Sequence, residues 1–197
     1  MPTSLARSLA WRRISARVSS PLLINGLPFR SVSHKNSTTV LFWRPFMSRY
    51  HKQVEIRWSD IDANQHMRHT AYADLCTHTR LEWLQDAGFG ADRFFQLGFG
   101  PVIFKETTEY LREVKLGMRL DIDVVLVASS ADHQRWVLRQ QMVRDDGKLA
   151  AHYEVAGAWL DLSTRKLTTP PAELQAIFDD MPRSEDYHEL PQSRVKP

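Results

Sequence analysis

The chain has 197 residues, 43% hydrophobic and 25% charged, which suits one ordinary domain with a core of its own. Its net charge of +3 is unevenly spread: residues 1–50 hold eight basic residues and no acidic one, and the remainder holds 18 basic against 23 acidic, a net of −5. The basic balance thus belongs to the first segment, and a basic stripe on a folded domain for nucleic acid is excluded. Cys76 is the single cysteine, so no internal disulfide forms, and no apolar run reaches the roughly 18–20 residues of a membrane span.

Residues 1–46 are rich in Arg and Ser, lack acid and show no sustained period, and they are set apart from the fold. Three readings stand for them: a mitochondrial transit peptide, a disordered extension, or a stretch ahead of a start at Met47. The compartment is accordingly open between cytoplasm and mitochondrial matrix, both intracellular.

Residues 52–59 alternate, with Val54, Ile56 and Trp58 on one face, which predicts a strand buried on one side. The polar run Asp60-Ile61-Asp62-Ala63-Asn64-Gln65-His66 predicts a loop. From Thr70 to Ala87 the period becomes helical, with Tyr72, Leu75, Cys76, Thr79 and Trp83 on one stripe, Thr70 as N-cap and Gly88 as stop. Residues 91–97 add a short helical piece. Strands are expected over 101–114, 118–128, 134–144 and 148–161, with Asp145-Asp146-Gly147 as a hairpin turn. A short helix opens at Pro171-Ala172-Glu173-Leu174, and residues 182–197 form a loose polar tail. The domain therefore spans 47–181, and its order is βαββββ. A single long helix covers such a sheet only if the sheet curls around it.

The segment from Arg57 to Tyr72 carries a paired Asp60-Ile61-Asp62, with Tyr72 ten residues after the second aspartate, on the helix. It resembles the opening of the 4-hydroxybenzoyl-CoA thioesterase-like group of hotdog proteins. His66 is similar to the histidine of the common D-x-x-G-H form. His69 matches the histidine that the Tol–Pal-associated acyl-CoA thioesterases place seven residues after the aspartate. One departure stands out: Gln65 occupies a position where many members have glycine, which bears on a backbone with φ > 0 there.

The resemblance implies an α+β hotdog fold, with a five-stranded antiparallel sheet curled around one long central helix. It also implies hydrolysis of an acyl-CoA thioester, with Asp62 as general base or nucleophile and His66 and His69 as catalytic companions. Thr70 and Tyr72 would meet substrate, and assembly as a homodimer or homotetramer is implied. Thioester hydrolysis needs a carboxylate near unpaired amides that can hold an oxyanion, and N–H groups around His69 to Ala71 at the helix start fit. Asp60 reads as a loop-capping residue. Arg112, Lys115 and Arg119 are candidates for the phosphates of coenzyme A, which is substrate and leaving group rather than cofactor.

No cofactor is called for. His66, His69, Cys76 and His78 lack the spacing of a zinc site, and no phosphate loop is present. Trp83, Phe89, Phe94, Phe95 and Phe99 serve either as core or as acyl-pocket lining. Two rivals remain: a hotdog enoyl-CoA hydratase, disfavoured by the shorter Asp62–His66 spacing and the missing proline, and a non-catalytic acyl-binding or assembly domain.

Overall fold

The computed structural model describes residues 49–191; the expected leader over 1–46 and the end of the expected tail lie outside them. The first strand, β1 (Tyr50–Glu55), stops short of the expected Ser59. The reason is local. The Arg57 N–H and guanidinium both donate to the Asp60 carboxylate, at 3.0–3.1 Å, and this draws Trp58–Asp60 into a 3-10 turn. Trp58, expected beside Val54 and Ile56, is consequently 79% exposed, while Ile56 is buried.

Helix α1 (His69–Asp86) buries Tyr72, Leu75, Cys76, Thr79 and Trp83, the stripe its periodicity predicts, together with Ala71, Arg80 and Leu84. It begins earlier than expected: Arg68 is the N-cap, without a side-chain capping bond, and Thr70 lies in the first turn instead. Beyond the end of the helix, Gly88 takes φ +90°, a left-handed turn that glycine adopts without steric cost. Arg80 is the stripe's charged member. It donates to Gln140 Oε1 (2.8 Å) and Thr77 Oγ1 (2.9 Å), and its guanidinium lies 5.3 Å from the Tyr153 ring centre, so its charge is not left bare.

Helix α2 (Ala91–Leu97) leads into β2 (Phe99–Tyr110), followed by β3 (Arg119–Ser129), β4 (Arg135–Arg144) and β5 (Leu149–Asp161). These pair antiparallel in the order β1-β3-β4-β5-β2, so among the described residues β2 lies at an edge, joined only to β5. Helix α1 packs against β1, β3 and β5. Phe89, Phe94, Phe99, Trp136, Trp159 and Phe178 form one aromatic cluster in the core, with ring centres 4.9–6.1 Å apart; most pairs meet edge to face or tilted, and Phe94 stacks on Trp159. Of the aromatic residues weighed as pocket lining, Trp83, Phe89, Phe94 and Phe99 are buried in the core, whereas Phe95 is 82% exposed.

The architecture is α+β, but among the described residues the sheet has six strands rather than five. After α3 (Ala172–Asp179), residues expected as a loose tail form β6 (Arg183–Glu189), which runs parallel to β3. It pairs with Leu126–Ser129, beyond the stretch of β3 that β1 covers. Nothing in Arg-Ser-Glu-Asp-Tyr-His-Glu alternates, so distant partners supply what local pattern lacks. Arg139 grips Asp186 through two 2.9 Å bonds, and the Tyr187 hydroxyl meets Ser129 Oγ at 3.1 Å.

Candidate active site

The site grows from the loop between the 3-10 turn and α1. Asp60 is its anchor: the side chain is almost wholly buried, it takes the Arg57 bonds, and its carbonyl accepts the Arg68 N–H at 2.8 Å. Burial pushes the Asp60 carboxyl up, but the bonds and charge of Arg57 outweigh it and hold the group below the ordinary range. Ile61 and Met67 then pair as an antiparallel bridge, and the Met67 N–H donates to Val114 O at 2.7 Å.

Between them the chain folds tightly. The Asp62 N–H donates to His66 O (2.9 Å), and the Gln65 N–H donates to Asp62 O (3.0 Å). Asp62 Oδ1 accepts the N–H groups of Asn64 (2.8 Å) and His66 (3.3 Å), whereas Oδ2 has no partner among the described residues. Gln65 takes φ +63°, so the left-handed backbone is kept where glycine was missing. One carboxylate oxygen is thus fixed by the backbone, and the other is open to chemistry.

Asp62, His66, Met67, His69, Tyr72, Tyr110, Leu111, Arg112 and Glu113 line a groove of about 360 Å³. Four residues expected at the site, Asp62, His66, His69 and Tyr72, thus come together. Thr70 does not line the groove; its hydroxyl accepts from Arg68 Nη1, which leaves only its backbone as a possible contact. The His66 ring is turned to Glu113, Nε2 to Oε2 at 2.8 Å, and Lys115 Nζ takes the other oxygen at 2.9 Å. The bond from Lys115, only partly offset by burial, holds the Glu113 carboxyl low; the charges of Lys115, His66 and Arg144 add to this. The His69 ring has no hydrogen-bond partner among the described residues. Tyr72 is nearly wholly buried; burial raises its phenol, and Tyr110 and Asp62 add to the rise.

At the start of α1 the Ala71 N–H is already used, donating to Arg68 O at 2.9 Å. The amides of His69 and Thr70 carry no such bond among the described residues, so the expected oxyanion donors narrow to these two. The positive end of an 18-residue helix adds to their pull on an anion. Among the described residues, no three His, Cys, Asp or Glu side chains gather as metal ligands, and no helix is long and apolar enough to cross a membrane.

Tyr110 and Glu113 were not foreseen. Tyr110 ends β2, and Glu113 sits in the connection to β3, which returns to the loop through the Val114–Met67 bond. Neither carries a local signal: the pairing of β2 with β5 places Tyr110, and the Val114–Met67 bond brings Glu113 to the loop.

The model of a family described as the thioesterase-like superfamily matches residues 56–178. No curated protein matches the chain. Among solved structures, a hypothetical protein from Staphylococcus aureus in complex with CoA is similar at 19% identity and TM-score 0.62, over 74% of this chain and 90% of that one. A 1,4-dihydroxy-2-naphthoyl-CoA thioesterase from Synechocystis is similar at 15% identity and TM-score 0.62, over 68% and 97%. A probable thioesterase from Escherichia coli is similar at 20% identity and TM-score 0.57, over 66% and 97%. At these identities the likeness speaks for the fold.

Proposed function

Because the chain belongs to the thioesterase-like superfamily and is thus a thioester hydrolase, we propose that it cleaves an acyl-CoA to free acid and coenzyme A in the groove at Asp62. One observation carries this reading: a carboxylate with a free oxygen and two unpaired helix-start amides belong to the same short stretch, residues 62–70. The thioester carbonyl carbon takes the attack either from a water that Asp62 deprotonates, which yields the acid directly, or from Asp62 itself, which yields an acyl-Asp62 anhydride that water then hydrolyses to the acid. Charge then develops on the carbonyl oxygen, and the His69 and Thr70 amides are the donors for it. Collapse breaks the carbon–sulfur bond and releases the thiolate of coenzyme A. His69, with an uncommitted ring beside the groove, is the group to protonate it. His66 holds the loop, through its N–H on Asp62 and its ring on Glu113.

The β2 edge supports assembly of two copies. Its Ile103 and Phe104 are 40% and 57% exposed, and pairing of edges across a two-fold covers both. Thiol release from a panel of acyl-CoAs tests the reading, alongside the absorbance of an enoyl-CoA. Free thiol without loss of the enoyl group is expected. Hydration of the enoyl group, or tight binding without turnover, would contradict it.

A further inference from the structure

Beside Asp62, two tyrosines from different elements meet. Tyr72 of α1 and Tyr110 of β2 pack edge to face, with ring centres 5.0 Å apart and planes at 82°. The Tyr110 hydroxyl reaches the His69 carbonyl at 3.4 Å, which ties the end of β2 to the first turn of α1. Both rings line the groove beside Asp62, one on each side of the seam that these contacts make between α1 and β2.

What lies further along that seam is polar. Tyr110 pairs with Ala151, Thr108 with Tyr153 and Glu106 with Val155, and directly paired residues share one face of an antiparallel sheet. Ala151, Tyr153 and Val155 are fully buried, so this is the core-facing side. The Tyr153 hydroxyl donates to Glu106 Oε1, and Arg80 covers the Tyr153 ring. A long alkyl chain following this path must part the tyrosines and then lie against a carboxylate and a guanidinium. Desolvating such groups without replacing their partners is costly. The groove itself, at about 360 Å³, is at the small end of ligand sites and must also admit the thioester.

We propose that the Tyr72–Tyr110 pair closes the acyl end of the groove and restricts the protein to acyl groups of short reach, a few carbons or a single ring. This deepens the acyl-CoA hydrolase reading and rests on it. A flat acyl ring is well received, because it meets the edges and faces of two aromatic rings.

The test is kcat/KM for thiol release from butyryl-, hexanoyl-, benzoyl-, dodecanoyl- and palmitoyl-CoA. Wild type favours the first three over the last two by at least about tenfold. Tyr110→Ala narrows that ratio about tenfold by opening the seam, and Tyr110→Leu, which keeps bulk but loses the ring pair, moves it in the same direction. Tyr110→Phe keeps the ring and holds the wild-type ratio. Circular dichroism checks folding, and the wild-type profile alone can decide if a variant fails to fold. A wild-type profile that is flat or rises with chain length overturns the gate while leaving the hydrolase standing. An unchanged ratio in folded Tyr110→Ala and Tyr110→Leu overturns it too. Absence of thiol release from every substrate would instead remove the hydrolase reading, and the gate with it.

Discussion

Gln65 and Asp123 each depart from what their surroundings favour. Gln65 holds φ +63° in the turn that fixes Asp62, a conformation costing an L-residue about 1–2 kcal/mol. Gln65→Gly relieves this but gains freedom in the unfolded chain, so a net stabilisation of up to about 1 kcal/mol is expected from urea titration. Destabilisation by that substitution would show that the glutamine side chain, not the backbone, holds the turn. Asp123 is nearly wholly buried; burial raises its carboxyl, and the Gln141 N–H at 2.6 Å and Arg49 only partly offset it. Below the unfolded carboxyl's pKa, about 3.9, both states are protonated and nothing is lost. As pH rises through the folded value, ionisation destabilises the native state more than the unfolded one. Asp123→Asn keeps an acceptor for Gln141, so it should raise Tm at pH 7 and lose that gain near pH 3. Much at this scale was legible: the Asp60-Ile61-Asp62 pattern led to Asp62, His66, His69 and Tyr72, which share the groove. The Tyr110 and Glu113 positions were not, because strand pairing across the sheet decides the first and the Val114–Met67 bond the second.

At the scale of elements, period was a sound guide wherever one face is buried. The α1 stripe stands as expected, almost wholly buried, whereas β3 is covered on both faces, with Asp123, Val125 and Val127 buried as well as Ile122, Val124 and Leu126. Period failed where specific bonds override pattern: the Arg57–Asp60 clasp ends β1 early, and β6 is held by Arg139 and Ser129 rather than by alternation. His133 adds to that attachment, joining Ser129 Oγ (3.1 Å) to Asp179 (2.9 Å) at the end of α3. The β4–β5 pairing is tighter than its sequence suggests. A Cβ on Gly157 would stand 2.6 Å from the Trp136 ring and 2.7 Å from the Val102 carbonyl. Gly157→Ala is therefore expected to cost about 1–3 kcal/mol in thermal or chemical denaturation. A neutral result would mean that Trp136 has room to shift.

For the whole molecule, β2 is an edge strand among the described residues and its last residue, Tyr110, lines the groove, so the proposed assembly and the proposed chemistry would share this strand. Sedimentation should find two or more copies at micromolar concentration. Phe104→Asp, at the exposed bulge of β2, should shift the balance to monomer, and an unchanged sedimentation coefficient would place the interface elsewhere. The central claim remains that the open oxygen of Asp62 does the chemistry on an acyl-CoA. Asp62→Asn keeps the shape and an acceptor for the Asn64 and His66 amides while removing the charge. The most direct measurement is kcat for thiol release by this variant beside wild type, with Tm confirming that both are folded. A fall of at least about a hundredfold is the predicted result; equal rates in two folded proteins would take Asp62 out of the mechanism.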